Sequence, residues 1–197
     1  MTTLALLRHA PTEWNAERRL QGRADIALSA AGRASLAAQR LPDEVASFRH
    51  LASPLKRTRE TADLLGLSPQ IDDRLVEMDW GRYEGRAIAE LRREQGEAFL
   101  ANEARGLDFT PEGGESPRVV QMRVMPLLAE IAGRGEPTLA ITHRGVIRAI
   151  YARATGWDMR GEAPHELDLY ALQIFTLGAR GEPALARLNV PLAARQV

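Results

Sequence analysis

The sequence predicts an α/β fold, a three-layer sandwich in which a mostly parallel central sheet is flanked by helices. Short apolar runs alternate along the chain with longer amphipathic stretches, the pattern of strand–helix units packed around a sheet. Two of the runs break off at a histidine or its basic neighbour, Leu4–Leu7 at Arg8-His9 and Thr138–Thr142 at His143. No repeat, low-complexity tract or long linker interrupts the 197 residues, so 1–197 reads as a single domain.

Each element follows from local chemistry. Leu4–Leu7 is a buried-strand candidate. Ser29 can cap a helix near Ala30–Leu41 that carries Leu36 and Leu41 and is closed by Pro42. His50–Ser53 is a second short strand, after which Pro54 opens a helix reaching about Leu65 that Gly66 terminates. Two charged helices, Arg86–Gln95 and Glu97–Glu103, are polar enough to be peripheral cover. Ser116-Pro117 pairs a cap with a proline at the first helical position and starts a helix to about Ala132. Pro126 should kink or divide it, and Gly133 and Gly135 should stop it. Thr138–Thr142 is a third strand, followed directly by a helix from Gly145 to Thr155, and Leu169–Leu177 and Ala184–Asn189 are late strands.

Composition narrows the function. Hydrophobic residues make up 45% and charged residues 26%, ordinary values for a globular chain. The absence of cysteine removes a disulfide framework, a thiolate metal site and a cysteine nucleophile together. Lys+Arg and Asp+Glu are 26 each, so no overall field steers the chain toward nucleic acid or an anionic membrane, and any anion recognition must be local. The apolar start is too short for a signal peptide, which needs roughly 7–15 such residues, and nothing approaches the ~20 of a membrane helix. The expectation is a cytoplasmic protein.

In open α/β sheets ligands bind beyond the carboxyl ends of the strands. Arg8-His9, Ser53 with the following Lys56-Arg57, and His143 would all lie at that edge. Arginine forks suit phosphate oxygens, and a neutral imidazole nitrogen can attack phosphorus. Neighbouring arginines favour the neutral imidazole. A second histidine can steady the equatorial oxygens of the transferring phosphoryl group, and Glu77 can protonate a leaving alkoxide. Asp79 and Glu84 are rival acids. Asn15 and Gln21 could serve only to bond the loop backbone. His50 and His165 read as solvent-facing, and Gly113-Gly114 as a flexible rim.

Four blocks occur in order: Leu6-Leu7-Arg8-His9-Ala10-Pro11-Thr12-Glu13-Trp14-Asn15 continuing to Gln21-Gly22, Ser53-Pro54-Leu55-Lys56-Arg57-Thr58 with Glu60-Thr61-Ala62, Leu75-Val76-Glu77-Met78-Asp79-Trp80-Gly81-Arg82-Tyr83-Glu84-Gly85, and Thr142-His143-Arg144-Gly145-Val146-Ile147-Arg148. Together they resemble the histidine phosphatase superfamily, whose fold is phosphoglycerate mutase-like. The resemblance implies that His9 becomes phosphohistidine, that Arg8, Arg57 and His143 hold the phosphate, and that Glu77 is the proton donor. It implies substrate contacts for Asn15, Gln21 and Gly22, with neither metal nor cofactor, and a small phosphorylated metabolite as partner. Ala10 and Arg144 stand where glycine is usual. Met78 replaces an arginine of the phosphoglycerate mutases, and the stretch from Glu77 to His143 is shorter than theirs. Both differences favour a phosphatase over a mutase, and the presence of His9, Arg8, Arg57, Glu77 and His143 together argues against a phospho-ligand-binding module without turnover.

Overall fold

In the computed structural model, which describes residues 1–195, the first strand lies inside the sheet and is paired on both sides. The last two residues of the expected domain lie outside the described residues. The elements run β1 (Thr2–Arg8), α1 (Glu13–Ala16), α2 (Ala30–Ala37), β2 (Gln39–Arg40), α3 (Asp43–Ala46), β3 (Arg49–Ala52), α4 (Lys56–Leu64) and β4 (Gln70–Ile71). They continue with α5 (Ile88–Gln95), α6 (Glu97–Glu103), α7 (Pro117–Arg134), β5 (Thr138–Thr142), α8 (Arg144–Thr155), β6 (Leu172–Leu177), β7 (Pro183–Val190) and β8 (Ala193–Ala194).

The main sheet has the order β4-β3-β5-β1-β6-β7. Its first four strands are parallel, β6 runs antiparallel to β1 and β7 antiparallel to β6, so the sheet is mixed with β6 the one reversed strand. Alternation along β1 divides the core. Leu4 and Leu6 pack with Val124 and Leu127 of α7 and with Val146 and Ile150 of α8. Ala5 and Leu7 face the other way, toward Leu36 of α2 and Val45 of α3. The sheet therefore carries helices on both faces, the three layers expected from the sequence.

Several expectations need correction. The second helix stops at Ala37, because Gln39 and Arg40 pair with Ala194 and Ala193 near the end of the chain; a tertiary pairing overrides the local pattern. Pro126 does not divide α7, which runs unbroken from Pro117 to Arg134. The ring is exposed, and Met122, whose carbonyl it deprives of a donor, is itself 68% exposed. Gly133 stays helical, and only Gly135, at φ +70°, ends the helix. The strand expected from Leu169 begins at Leu172, because Asp168 accepts bonds from the Tyr170 and Ala171 amides and holds a turn there. His50 is half-buried, with Nε2 unpartnered, and does not face solvent. The charged helices α5 and α6 are more than cover, since they bury Leu91 and Phe99 in the core.

Candidate active site

Three neighbouring parallel strands end together. In the sheet β3 lies beside β5 and β5 beside β1. Ala52 is in register with Ile141, and Arg8 with Thr142. Just past the strands, the His9 amide still donates to the Thr142 carbonyl at 3.1 Å and the Ser53 amide to Ile141 at 3.1 Å. This shared edge sets Arg8-His9, Ser53 and His143 side by side, and the His9 and His143 ring centroids lie 5.3 Å apart.

The local bonds define the tautomer of His9. Its Nδ1 lies 2.7 Å from the Ala10 carbonyl, which can only accept. Nδ1 therefore carries the proton and Nε2 keeps its lone pair. The loop that makes this bond is itself tied down: the Ala10 amide donates to Thr61 Oγ1 at 3.0 Å, and that hydroxyl donates to the Arg57 carbonyl at 2.7 Å. Burial first, and then the charges of Arg8 and Arg57, push the His9 pKa well below its ordinary value and keep the ring neutral. His143 is pushed down in the same way, by burial and then by the Arg57 charge, and its Nε2 lies 2.7 Å from Ser53 Oγ.

Arg57 has no solvent exposure. Its Nη1 and Nη2 donate to the Ala24 and Gly22 carbonyls, each at 2.8 Å, and its Nε has no partner. Gly22 thus presents its carbonyl to Arg57, and a Cβ there would collide with the Glu84 carboxylate, 1.9 Å away. Arg8 stacks over the Tyr170 ring at 5.6 Å and keeps an unpartnered Nε. Burial lowers the pKa of both arginines, partly offset by the nearby Glu77 charge.

Three acids were candidates from the sequence, and their surroundings differ. Glu77 is buried at the cavity wall and accepts from the Gly145 amide at 3.0 Å and the Met78 amide at 2.7 Å. Asp79 accepts from the Gly81 amide and faces Arg23, while Glu84 accepts from the Arg23 and Ala24 amides. Neither Asp79 nor Glu84 lines the cavity.

That cavity, of about 720 Å³, brings together Arg8, His9, Asn15, Gln21 and Glu77. Arg57, His143 and Gly22 do not line it. Gln21 keeps an unpartnered amide oxygen. The Asn15 amide oxygen is committed to the Thr12 amide and hydroxyl, a helix cap. Arg144 lies at the wall. Among the described residues no three His, Cys, Asp or Glu side chains converge as a metal site would require, and no helix is long and apolar enough to cross a membrane.

Sequence reasoning missed three supports. Ser53 meets His143, Thr61 holds the Ala10 peptide, and Arg123 of α7 donates to the Arg74 and Val76 carbonyls at 2.7 and 2.9 Å, fixing the approach to Glu77. Ser53 gave a signal as the residue ending a strand at the ligand edge, and Thr61 as a small polar residue one helical turn after Arg57, whereas Arg123 gave none.

A family model described as the histidine phosphatase superfamily, branch 1, matches residues 4–191. The chain is similar to phosphoglycerate mutase-like protein 4 of Arabidopsis thaliana, 35% identical over 161 residues that span 77% of this chain and 70% of that protein. It is also similar to a metal-independent phosphoserine phosphatase of the same plant, 34% identical over 172 residues, spanning 82% and 72%. Among solved structures, YhfR of Bacillus stearothermophilus superposes with a TM-score of 0.81 at 29% identity, covering 96% of this chain and 98% of that one.

Proposed function

Because this chain belongs to the histidine phosphatase superfamily and is a phosphatase, we propose that it hydrolyses a small phosphomonoester through phosphohistidine at His9 without a metal. The observation that carries the reading is the single free nitrogen of a buried, neutral imidazole, flanked by Arg8 and Arg57. The lone pair of Nε2 attacks phosphorus, the P–O bond to the substrate breaks, and protonated Glu77 delivers its proton to the departing alkoxide. Water then attacks phosphorus and gives a proton to Glu77, and the N–P bond breaks to release phosphate. Arg8, Arg57 and His143 supply the positive and donor field that opposes the phosphoryl charge.

The test is a screen of phosphorylated metabolites with phosphate release as the readout, in the presence of a chelator. Turnover should survive, and acid quenching should destroy a base-stable phosphoprotein that alkaline quenching preserves. His9→Ala should abolish both turnover and the phosphoprotein. Near-normal turnover in that variant, or loss with chelator restored by magnesium or zinc, refutes the mechanism.

A further inference from the structure

Beyond Arg8, the cavity wall carries Arg19, Arg92, Arg144, Arg148 and Arg160. Three of these are already paired. Arg19 meets Glu17 and the Gly85 carbonyl, Arg92 forms a two-pronged pair with Glu103 at 2.8 Å in each arm, and Arg160 faces Asp158 at 3.8 Å. The guanidinium groups of Arg144 and Arg148 make no hydrogen bond or ion pair among the described residues. Arg148 rests over the Trp157 ring at 5.0 Å. Burial and then the Arg144 charge lower its pKa to about 10, and no carboxylate offsets either cause.

Both arginines belong to α8 and stand four residues apart, on one face and about 6 Å apart along the axis. Arg144 follows His143 directly and precedes Gly145, whose amide holds Glu77. Its charge also bears on Arg8. The cations thus form a row that leaves the reacting edge along α8. Like charges one turn apart destabilise a helix, and partial desolvation adds to that cost. The two carboxylates that line the cavity are engaged elsewhere, Glu77 by the Gly145 and Met78 amides and Glu103 by Arg92, and the lining residues Trp80, Ile88, Phe99 and Phe109 carry no charge.

We propose that Arg144 and Arg148 form a second anion subsite, which selects phosphomonoesters bearing a further carboxylate or phosphate on the α8 side of the cavity. The inference rests on the phosphatase reading above for the first phosphate, and its test separates the two.

Three substrates of one carbon skeleton serve as probes: glycerol 3-phosphate, 3-phosphoglycerate and glycerol 1,3-bisphosphate. The wild-type kcat/KM should favour one or both of the compounds with a second anionic group by about ten- to a hundredfold, the range of a charge-assisted contact. Which of the two gains identifies the anion. In the double variant Arg144→Ala/Arg148→Met the preference should fall to within about threefold of unity through KM, while Arg148→Lys, which keeps the charge, retains part of it. Turnover of an aryl phosphate, which has no second anion, reports whether the reacting edge is intact. The same ligands titrated calorimetrically into His9→Ala should show the same order of affinity, lost when Arg144→Ala/Arg148→Met is added. Absence of turnover on every phosphomonoester refutes the phosphatase reading alone, because the calorimetric order still decides the subsite. Equal affinities in His9→Ala, or a preference that survives the double variant, overturns the subsite.

Discussion

Glu77 shows what one residue's surroundings can decide. Its carboxylate is held by two backbone amides at the wall of the cavity that His9 also lines, whereas Asp79 and Glu84 spend their oxygens on neighbouring loops. Glu77→Gln keeps an acceptor for the Gly145 amide but cannot cycle a proton. We expect kcat on alkyl phosphates to fall by about 10²–10⁴. Phosphorylation by a nitrophenyl phosphate, whose leaving group departs unprotonated, should fall much less, which burst kinetics will separate from the slow hydrolysis step. Equal, small losses on both would remove Glu77 from the acid role. The sequence displayed the residues that meet here because a strand's end is visible in an apolar run that stops. Their supports were not visible. Arg123 lies 46 positions from the Glu77 whose carbonyl it approaches, and no local pattern distinguishes it from a surface arginine. The resemblance implies a substrate contact for Gly22, and the structure adds a role no motif displays, a carbonyl for Arg57 beside the room that Glu84 occupies.

At the scale of elements, α7 carries an avoidable cost. Pro126 leaves the Met122 carbonyl without its helical donor, in a helix otherwise well capped by Ser116, whose Oγ accepts from the Val119 amide at 3.3 Å. Because both positions face solvent, Pro126→Ala should be accommodated without repacking. It should stabilise the protein by about 1–2 kcal/mol, somewhat less than the full interior proline penalty because the unfolded chain gains freedom. Urea unfolding of the two proteins measures the difference, and a loss of stability would mean that the proline at this position is needed for α7 to pack against α8. Strands β1, β3 and β5 and helices α4, α7 and α8 were legible because apolar runs, caps and prolines mark them locally. The short pieces α1, α3, β2, β4 and β8 were not, since pieces of two to four residues have no period to read and three of them exist only through pairing with distant segments.

For the whole molecule, two buried neutral histidines make stability depend on pH. His9 and His143 both have folded pKa values well below their ordinary 6.5. Above that value neither state binds the proton, and the stability is fully present. As pH falls below it, only the unfolded chain binds protons, so stability is lost down to the folded pKa, with a slope approaching about 1.4 kcal/mol per pH unit for each histidine. The free energy of unfolding in urea should therefore drop between pH 6.5 and 5.5 in the ligand-free protein, and a flat profile would contradict the buried neutral state. The position of β1 has a kinetic consequence. It is bonded to β5 on one side and β6 on the other, so fraying at a sheet edge cannot release it. The register that aims His9 is lost only when the whole sheet comes apart. The lifetime of the active geometry is then the lifetime of the folded chain, and irreversible inactivation on heating proceeds at the rate of global unfolding.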